Sequence, residues 1–309
     1  MLALGAVLVA SFARAGEVIE VPVRDGVTEA VFLAHVGNAP PKAIVISFVG
    51  GAGAINLERR AQRGSVRFGH GSNFLVRIRS ELAATDIVDA IVDAPSDLLP
   101  AGMSDAFRSG KTHADDIGKV IGELRKRFAG APVYLLGTSR GTISAANLGV
   151  RLASMIDAVI LTSTVTRADR VGPGLSRFDF ASLTVPVLFM HHADDQCLSS
   201  PYSGAQAAAR DKPLITVRGG DPPQSGPCDA LSAHGYIGRE KATADAIRAF
   251  VLGQDYPREI SLAGVTLAKL DIVREIAGLQ RGRAYAYQPY LDELEEGGEA
   301  AVTAKGEAA

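Results

Sequence analysis

Pro132-Val133-Tyr134-Leu135-Leu136-Gly137-Thr138-Ser139-Arg140-Gly141-Thr142-Ile143-Ser144-Ala145-Ala146 is the stretch on which the reading of this chain turns. A β-prone apolar run leads up to Gly137, and helix-forming residues begin at Thr142. Between them sits a Gly-x-Ser-x-Gly pentapeptide, in the order strand, sharp turn, helix. That is the context a nucleophile elbow requires. The flanking glycines answer a turn too tight for side chains. Ser139 is then expected to project from the end of a sheet, beside the positive end of a helix.

Working outward, strand and helix signals alternate. Glu17 to Val23 and Thr28 to His35 form an opening antiparallel pair around Arg24-Asp25-Gly26. Ala43 to Val49 is a continuous apolar, β-branched run, as for a strand buried on both faces. Val76 to Ala84 reads as a helix and Ile87 to Val92 as the next buried strand. Ala114 to Phe128 is amphipathic, with Ile117, Val120, Ile121 and Leu124 at helical spacing. Val133 to Leu136, Ala158 to Leu161, Val185 to Met190 and Leu214 to Val217 are further strands, and Thr243 to Leu252 is helical. The fold class is therefore α/β, a mostly parallel sheet of about eight strands with helices on both faces. In such sheets ligands bind at the carboxyl ends of strands.

The ends of the chain differ from this body. Leu2 to Val9 is apolar, and Ala13-Arg14-Ala15 offers a cleavage site, so residues 1–15 read as an export signal. The expected catalytic domain spans 16–253. From Gln254 the pattern changes: 254–309 reads as a helical extension, with an amphipathic helix over Leu262 to Leu279 and a disordered Glu/Ala/Gly-rich end.

Composition narrows the function. The chain has 309 residues, 47% of them hydrophobic and 21% charged, enough for a large core. A net charge of −2 gives no sign of nucleic acid or of an anionic membrane surface as partner. The apolar N-terminal run is too short to span a bilayer, so no stable membrane anchor is expected. Trp is absent and aromatics are 6%, so no stacking platform for bases or sugars is advertised. The two cysteines, Cys197 and Cys228, are expected to form a disulfide in an exported protein, periplasmic or secreted. Two cysteines supply too few ligands for a metal site.

A serine hydroxyl needs a base, and the base needs a carboxylate. In an elbow of this kind the chain order is Ser, acid, His. After the strand ending at Met190 comes His191-His192-Ala193-Asp194-Asp195-Gln196-Cys197, where Asp194 and Asp195 both qualify as the acid. His234, in Ser232-Ala233-His234-Gly235-Tyr236, is the histidine downstream of both. A Cys197–Cys228 bridge would tie the acid loop to the histidine loop. His191 and His192 are weak candidates for metal ligation, because adjacent strand residues point to opposite faces. Oxyanion donors are expected from the Arg140 amide and from Gly50-Gly51-Ala52-Gly53 after the third strand. That run lacks the Gly-Lys-Ser/Thr of a phosphate loop, and no dinucleotide fingerprint follows it. No cofactor is implied. Arg108 and His113 are expected at the surface or at a helix start, with contact to an anionic substrate group as the alternative.

Val49-Gly50-Gly51-Ala52-Gly53, Asn73-Phe74-Leu75-Val76-Arg77, Val92-Asp93-Ala94-Pro95-Ser96-Asp97, Gly137 to Thr142, His192 to Cys197 and His234-Gly235-Tyr236 together resemble the α/β-hydrolase superfamily over residues 17–252. Within it, the chain is similar to little-characterised exported bacterial serine hydrolases. The resemblance implies Ser139, Asp195 and His234 as triad. The usual glycine of the acid loop is His192 here, and counting from that slot selects Asp195. The histidine that often precedes the oxyanion glycines is Val49, which leaves Gly50 and Gly51 both open as donor. Residues 163–184 are too few for a full helical cap, so an open site is expected. The reading is a carboxylesterase-like enzyme acting on small-molecule esters through an acyl-enzyme. An amidase or peptidase with the same triad, or a non-catalytic binding protein on this fold, are the alternatives.

Overall fold

The computed structural model describes residues 16–35, 40–60, 65–83, 86–261, 274–276 and 284–286. The chain divides into two units, Met1–Ile260 and Ser261–Ala309. The expected export signal lies outside the described residues. In the second unit, Arg274–Ile276 and Ala284–Ala286 pair as antiparallel strands. An amphipathic helix was expected to cover the first of these; the rest of 262–279 lies outside the described residues.

The first unit is built on a nine-stranded sheet in the order β1-β2-β6-β3-β7-β8-β9-β10-β11. In chain order the strands are β1 (Glu17–Arg24), β2 (Val27–Ala34), β3 (Ala43–Phe48), β4 (Leu57–Arg60), β5 (Ser65–Phe68), β6 (Ile87–Val92), β7 (Val133–Thr138), β8 (Ala158–Thr162), β9 (Val187–His192), β10 (Leu214–Val217) and β11 (Glu259–Ile260). β4 and β5 form a separate hairpin, absent from the sequence reading. β1 and β2 are antiparallel to their neighbours, and β3, β6, β7, β8, β9, β10 and β11 run parallel. Residue types follow position. β3, β6 and β9 are buried at every residue, as central parallel strands must be. β1 buries only Val21 and Val23, two residues apart, as an edge strand with one wet face does.

Seven helices are described: α1 (Phe74–Arg77), α2 (Arg79–Ala83), α3 (Asp105–Ser109), α4 (Lys111–Arg127), α5 (Gly141–Arg151), α6 (Tyr202–Ala209) and α7 (Glu240–Val251). The single helix expected over 76–84 is two short ones, α1 and α2, meeting at Ile78. Alternate residues of β3 feed two cores. Ile44, Ile46 and Phe48 pack with Ile117, Val120, Ile121 and Leu124 of α4 and Ile143 and Leu148 of α5. Val45, on the other face, packs with Leu75, Leu82, Ile247 and Val251 of α1, α2 and α7. Between β8 and β9 only a 3₁₀ turn, Phe180–Ser182, interrupts the loop, so no helical cap stands there. No helix among the described residues is long and apolar enough to cross a membrane.

The strand order sets the site. From β3 the chain moves outward to β6 and then returns to the other flank of β3 as β7. The loops leaving β3 and β7 therefore diverge at a topological switch point, where doubly wound sheets open a crevice. Val49 to Gly53 follows β3, and Ser139 follows β7.

Candidate active site

Ser139 has φ +51°, a left-handed conformation that side chains rarely adopt. The turn is held on both sides. Ser139 N donates to Thr162 O of β8 at 3.0 Å, and Ser139 O accepts from Thr142 N at 2.9 Å and Thr142 Oγ1 at 2.6 Å. The glycines of the pentapeptide are required by contact. A Cβ on Gly137 would lie 2.5 Å from Gly141 O, and one on Gly141 would lie 2.0 Å from Phe48 O. The start of α5 thus presses directly on the end of β3. A Cβ on Gly50 would come within 2.9 Å of Ser139 Cβ, so the glycine loop passes against the serine itself. Gly51 takes φ +58°.

The loop after β9 separates the two candidate acids. Asp194 turns outward, its side chain 68% exposed. Asp195 turns inward, and its Oδ2 lies 2.8 Å from His234 Nδ1. Oδ1 accepts from Cys197 N at 2.9 Å. Burial works against the charged form of Asp195. Hydrogen bonds and charge from His191 and His234 outweigh it and hold its carboxyl down at about 2. His234 is 4% exposed, on a 3₁₀ turn (Ala233–Gly235) where Ser232 Oγ accepts from His234 N at 3.2 Å. A carboxylate on Nδ1 fixes the hydrogen there and leaves Nε2 as the basic nitrogen. Nε2 makes no hydrogen bond among the described residues. His234 and Ser139 line one cleft of about 430 Å³, together with Gly50 and Gly51. Catalytic hydrogen bonds are commonly long before substrate binds.

Cys197 and Cys228 are joined, with Cα atoms 4.6 Å apart, so the acid loop and the histidine loop are covalently tied. His192 points elsewhere. Its Nε2 meets Gly219 O at 2.7 Å and its Nδ1 accepts from Asp194 N at 3.1 Å. No cluster of three metal-ligating side chains occurs among the described residues.

Several motif residues have roles that the sequence does not announce. Arg77 donates to Ala230 O at 2.9 Å and Gly235 O at 2.7 Å, gripping the histidine loop at both ends, and pairs with Glu240 at 2.8 Å. Tyr236 OH accepts from Ser163 N at 3.0 Å and donates to Met190 O at 2.8 Å. Ser163 Oγ donates to His234 O at 2.7 Å. Burial pushes the Tyr236 phenol up, so it stays a donor. The Arg140 side chain pairs with Asp105 at 2.5 Å and with Asp169, pinning the loop after β8.

His113 lies at the start of α4, whereas Arg108 lies in the last turn of α3, and neither is at the surface. Arg108 is fully buried, donating to Ser144 Oγ at 2.9 Å and Gly51 O at 3.1 Å. Burial pulls its pKa down to about 10, against the pull of Asp105. His113 meets Phe48 edge-on and Phe107 at a tilt, with ring centroids 5.9 and 5.4 Å away. Burial and the charge of Arg108 lower it to about 3, so it is neutral. Sequence alone offered no signal for these roles, which depend on contacts between distant segments.

No family model matches the chain, and no curated protein matches it in sequence. Solved structures do. Est1E from Butyrivibrio proteoclasticus matches with a TM-score of 0.52 at 16% identity, over 77% of this chain and 98% of that one. Its complex with ferulic acid matches at 0.54 and 16%, over 76% and 98%. The complex of DcsB with its substrate analogue matches at 0.50 and 14%, over 78% and 99%. Among the solved structures that match in fold is an α/β serine hydrolase from Xanthomonas campestris described as lacking a lid, with a TM-score of 0.49 at 15% identity, over 74% and 94%. With its mostly parallel sheet, its helices on both faces and its strand–turn–helix at Ser139, the chain has the α/β-hydrolase fold.

Proposed function

We propose that the protein is a serine hydrolase cleaving carboxylic esters through an acyl-enzyme. The observation that carries this is the Asp195–His234 contact at 2.8 Å, on a histidine that shares its cleft with a serine held at positive φ. Ser139 Oγ attacks the ester carbonyl while His234 Nε2 takes its proton. Asp195 keeps the ring in the required tautomer and stabilises the imidazolium. The Arg140 amide, with that of Gly51 or Gly50, receives the oxyanion. The proton passes from His234 to the departing alkoxide. Water then repeats the sequence and releases the acid.

The substrate follows from the cleft. It lacks a helical cap between β8 and β9, and its wall mixes His70, Ser72 and Asn73 with Ile55, Phe74 and Leu231. So open a cleft suits accessible esters more than a buried long acyl chain. The Cys197–Cys228 bridge supports a periplasmic or secreted setting.

The test is hydrolysis of p-nitrophenyl esters across acyl lengths, with a fluorophosphonate probe, on wild type and Ser139→Ala. Turnover and labelling that disappear together in Ser139→Ala support the reading. Labelling without ester turnover moves the substrate to amides. Neither activity nor labelling in folded, oxidised protein overturns it in favour of a binding protein.

A further inference from the structure

Asp195 is held by more than His234. Its Oδ2 faces His234 Nδ1 at 2.8 Å, His191 Nε2 at 3.3 Å and Ser200 Oγ at 3.4 Å. His191 is the penultimate residue of β9 and is fully buried. Its Nε2 is also 3.0 Å from the carbonyl oxygen of Ser200. A carbonyl can only accept, so Nε2 carries the hydrogen. Nδ1 is buried without a partner among the described residues, which suits a bare lone pair better than a stranded N–H. His191 therefore directs its Nε2–H to Ser200 O, with Asp195 Oδ2 3.3 Å from the same nitrogen. Around it stand Asp195, the Tyr202 ring at 6.1 Å, and Thr216, its register partner on β10. It is not among the residues that line the cleft.

We propose that His191 is a positioning residue for Asp195, its Nε2–H locking the carboxylate so that Oδ2 stays presented to His234 Nδ1. The inference rests on the serine-hydrolase reading above. A carboxylate on a loop can rotate about χ2 and exchange its oxygens. Cys197 N on Oδ1 and His191 on Oδ2 together specify one rotamer. The base is then oriented by an acid that is itself oriented, which is what preorganisation requires.

The test compares His191→Gln with His191→Met. The two side chains have nearly the same length and volume, and only the first can donate a hydrogen bond near the Nε2 position. Expected is a kcat about tenfold lower for His191→Met than for His191→Gln, the loss of one hydrogen bond to a charged group. KM should stay within about twofold and the two melting temperatures should agree, since binding and packing are shared. In an Asp195→Asn background the difference between the two should vanish. Equal kcat for the two variants in the Asp195 background overturns the proposal and makes His191 a core filler. Should His191→Met fail to fold, long-range ¹⁵N–¹H NMR of the wild type decides. A neutral Nε2–H tautomer at His191 supports the proposal, and an Nδ1–H tautomer, which cannot bond Asp195, overturns it. Ser139-dependent probe labelling of the wild type separates the two failures. Its loss removes the hydrolase reading, whereas equal variants in a labelled enzyme remove only this role.

Discussion

Arg108 donates to the carbonyl of Gly51 at 3.1 Å from a side chain wholly out of solvent. It also reaches Val49 O at 3.4 Å, and a Cβ on Gly53 would lie 2.5 Å from its Nη2. The glycine loop is thus laid over a buried guanidinium, which fixes the carbonyls of Val49 and Gly51. Arg108→Met should cost at least about 2 kcal/mol in urea unfolding, because three acceptors lose their donor. It should also lower kcat by about tenfold or more, as displaced oxyanion donors do. Arg108→Lys, which keeps the charge without the fork, should fall between.

The contact between Gly141 and Phe48 O predicts a stability defect, and that between Gly50 and Ser139 a catalytic one. Gly141→Ala places a Cβ 2.0 Å from a backbone oxygen of β3, and the central sheet or α5 must shift. A loss of about 3 kcal/mol or more is expected. Gly50→Ala meets the serine side chain instead, at 2.9 Å. It should stay within about 1 kcal/mol of wild type and still lose most probe labelling at Ser139. Chemical denaturation beside active-site labelling separates the two.

Asp89 gives a pH signature. It is fully buried in β6 and accepts from Ser47 Oγ at 2.6 Å. Burial raises its pKa from the ordinary 3.8 to about 7, and Ser47 and Arg79 counter only part of that. The folded pKa of this acid lies above the unfolded one. Below the unfolded value both states hold the proton and nothing is lost. Between the two values the unfolded chain ionises first, so stability falls as pH rises toward 7, and the loss is complete above it. Asp89→Asn should therefore be more stable than wild type at pH 8 and nearly equal at pH 4, as read by thermal unfolding at both.

The bridge between Cys197 and Cys228 closes a loop of separation 31. Replacing both by Ser should cost about 3–4 kcal/mol, the loop-closure estimate for that length. Because the bridge joins the loops of Asp195 and His234, kcat should fall more than KM changes. Wild type treated with a thiol reductant should show the same split, and oxidation should restore it.

What was legible in the chain were features that local chemistry signals. The Gly-x-Ser-x-Gly turn announces itself because only glycine tolerates Phe48 O at the Gly141 Cβ position. Chain order and strand ends made legible that Asp194 or Asp195 meets His234, and the family resemblance singled out Asp195, which is the one in contact. The hairpin of β4 and β5 was not, because Leu57-Glu58-Arg59-Arg60 has no alternation to read. Arg77 and Arg108 were not, because a guanidinium usually lies at the surface, and both are defined by carbonyls far away in sequence. His191 was weighed only as a metal ligand. Its actual partners, Ser200 O and Asp195, lie within nine residues but on an irregular loop, where no periodicity foretells a contact.

Arg77 grips the histidine loop through the carbonyls of Ala230 and Gly235, and Ser163 holds His234 through its carbonyl as well. Gly235 must remain glycine, since a Cβ there would meet Ala230 O at 1.9 Å. Ala230 and Gly235 are thus held by their main chain, which every amino acid possesses, while Cys228 and Ser232 anchor the segment through their side chains. Ala230 and Leu231 line the cleft from this same segment, and their bonds to Arg77 and Ser225 run through the main chain, so their side chains can be exchanged. The proposed hydrolase is in this sense modular: its substrate preference can be rewritten, by selection or by design, along two adjacent codons while its chemistry stays in place.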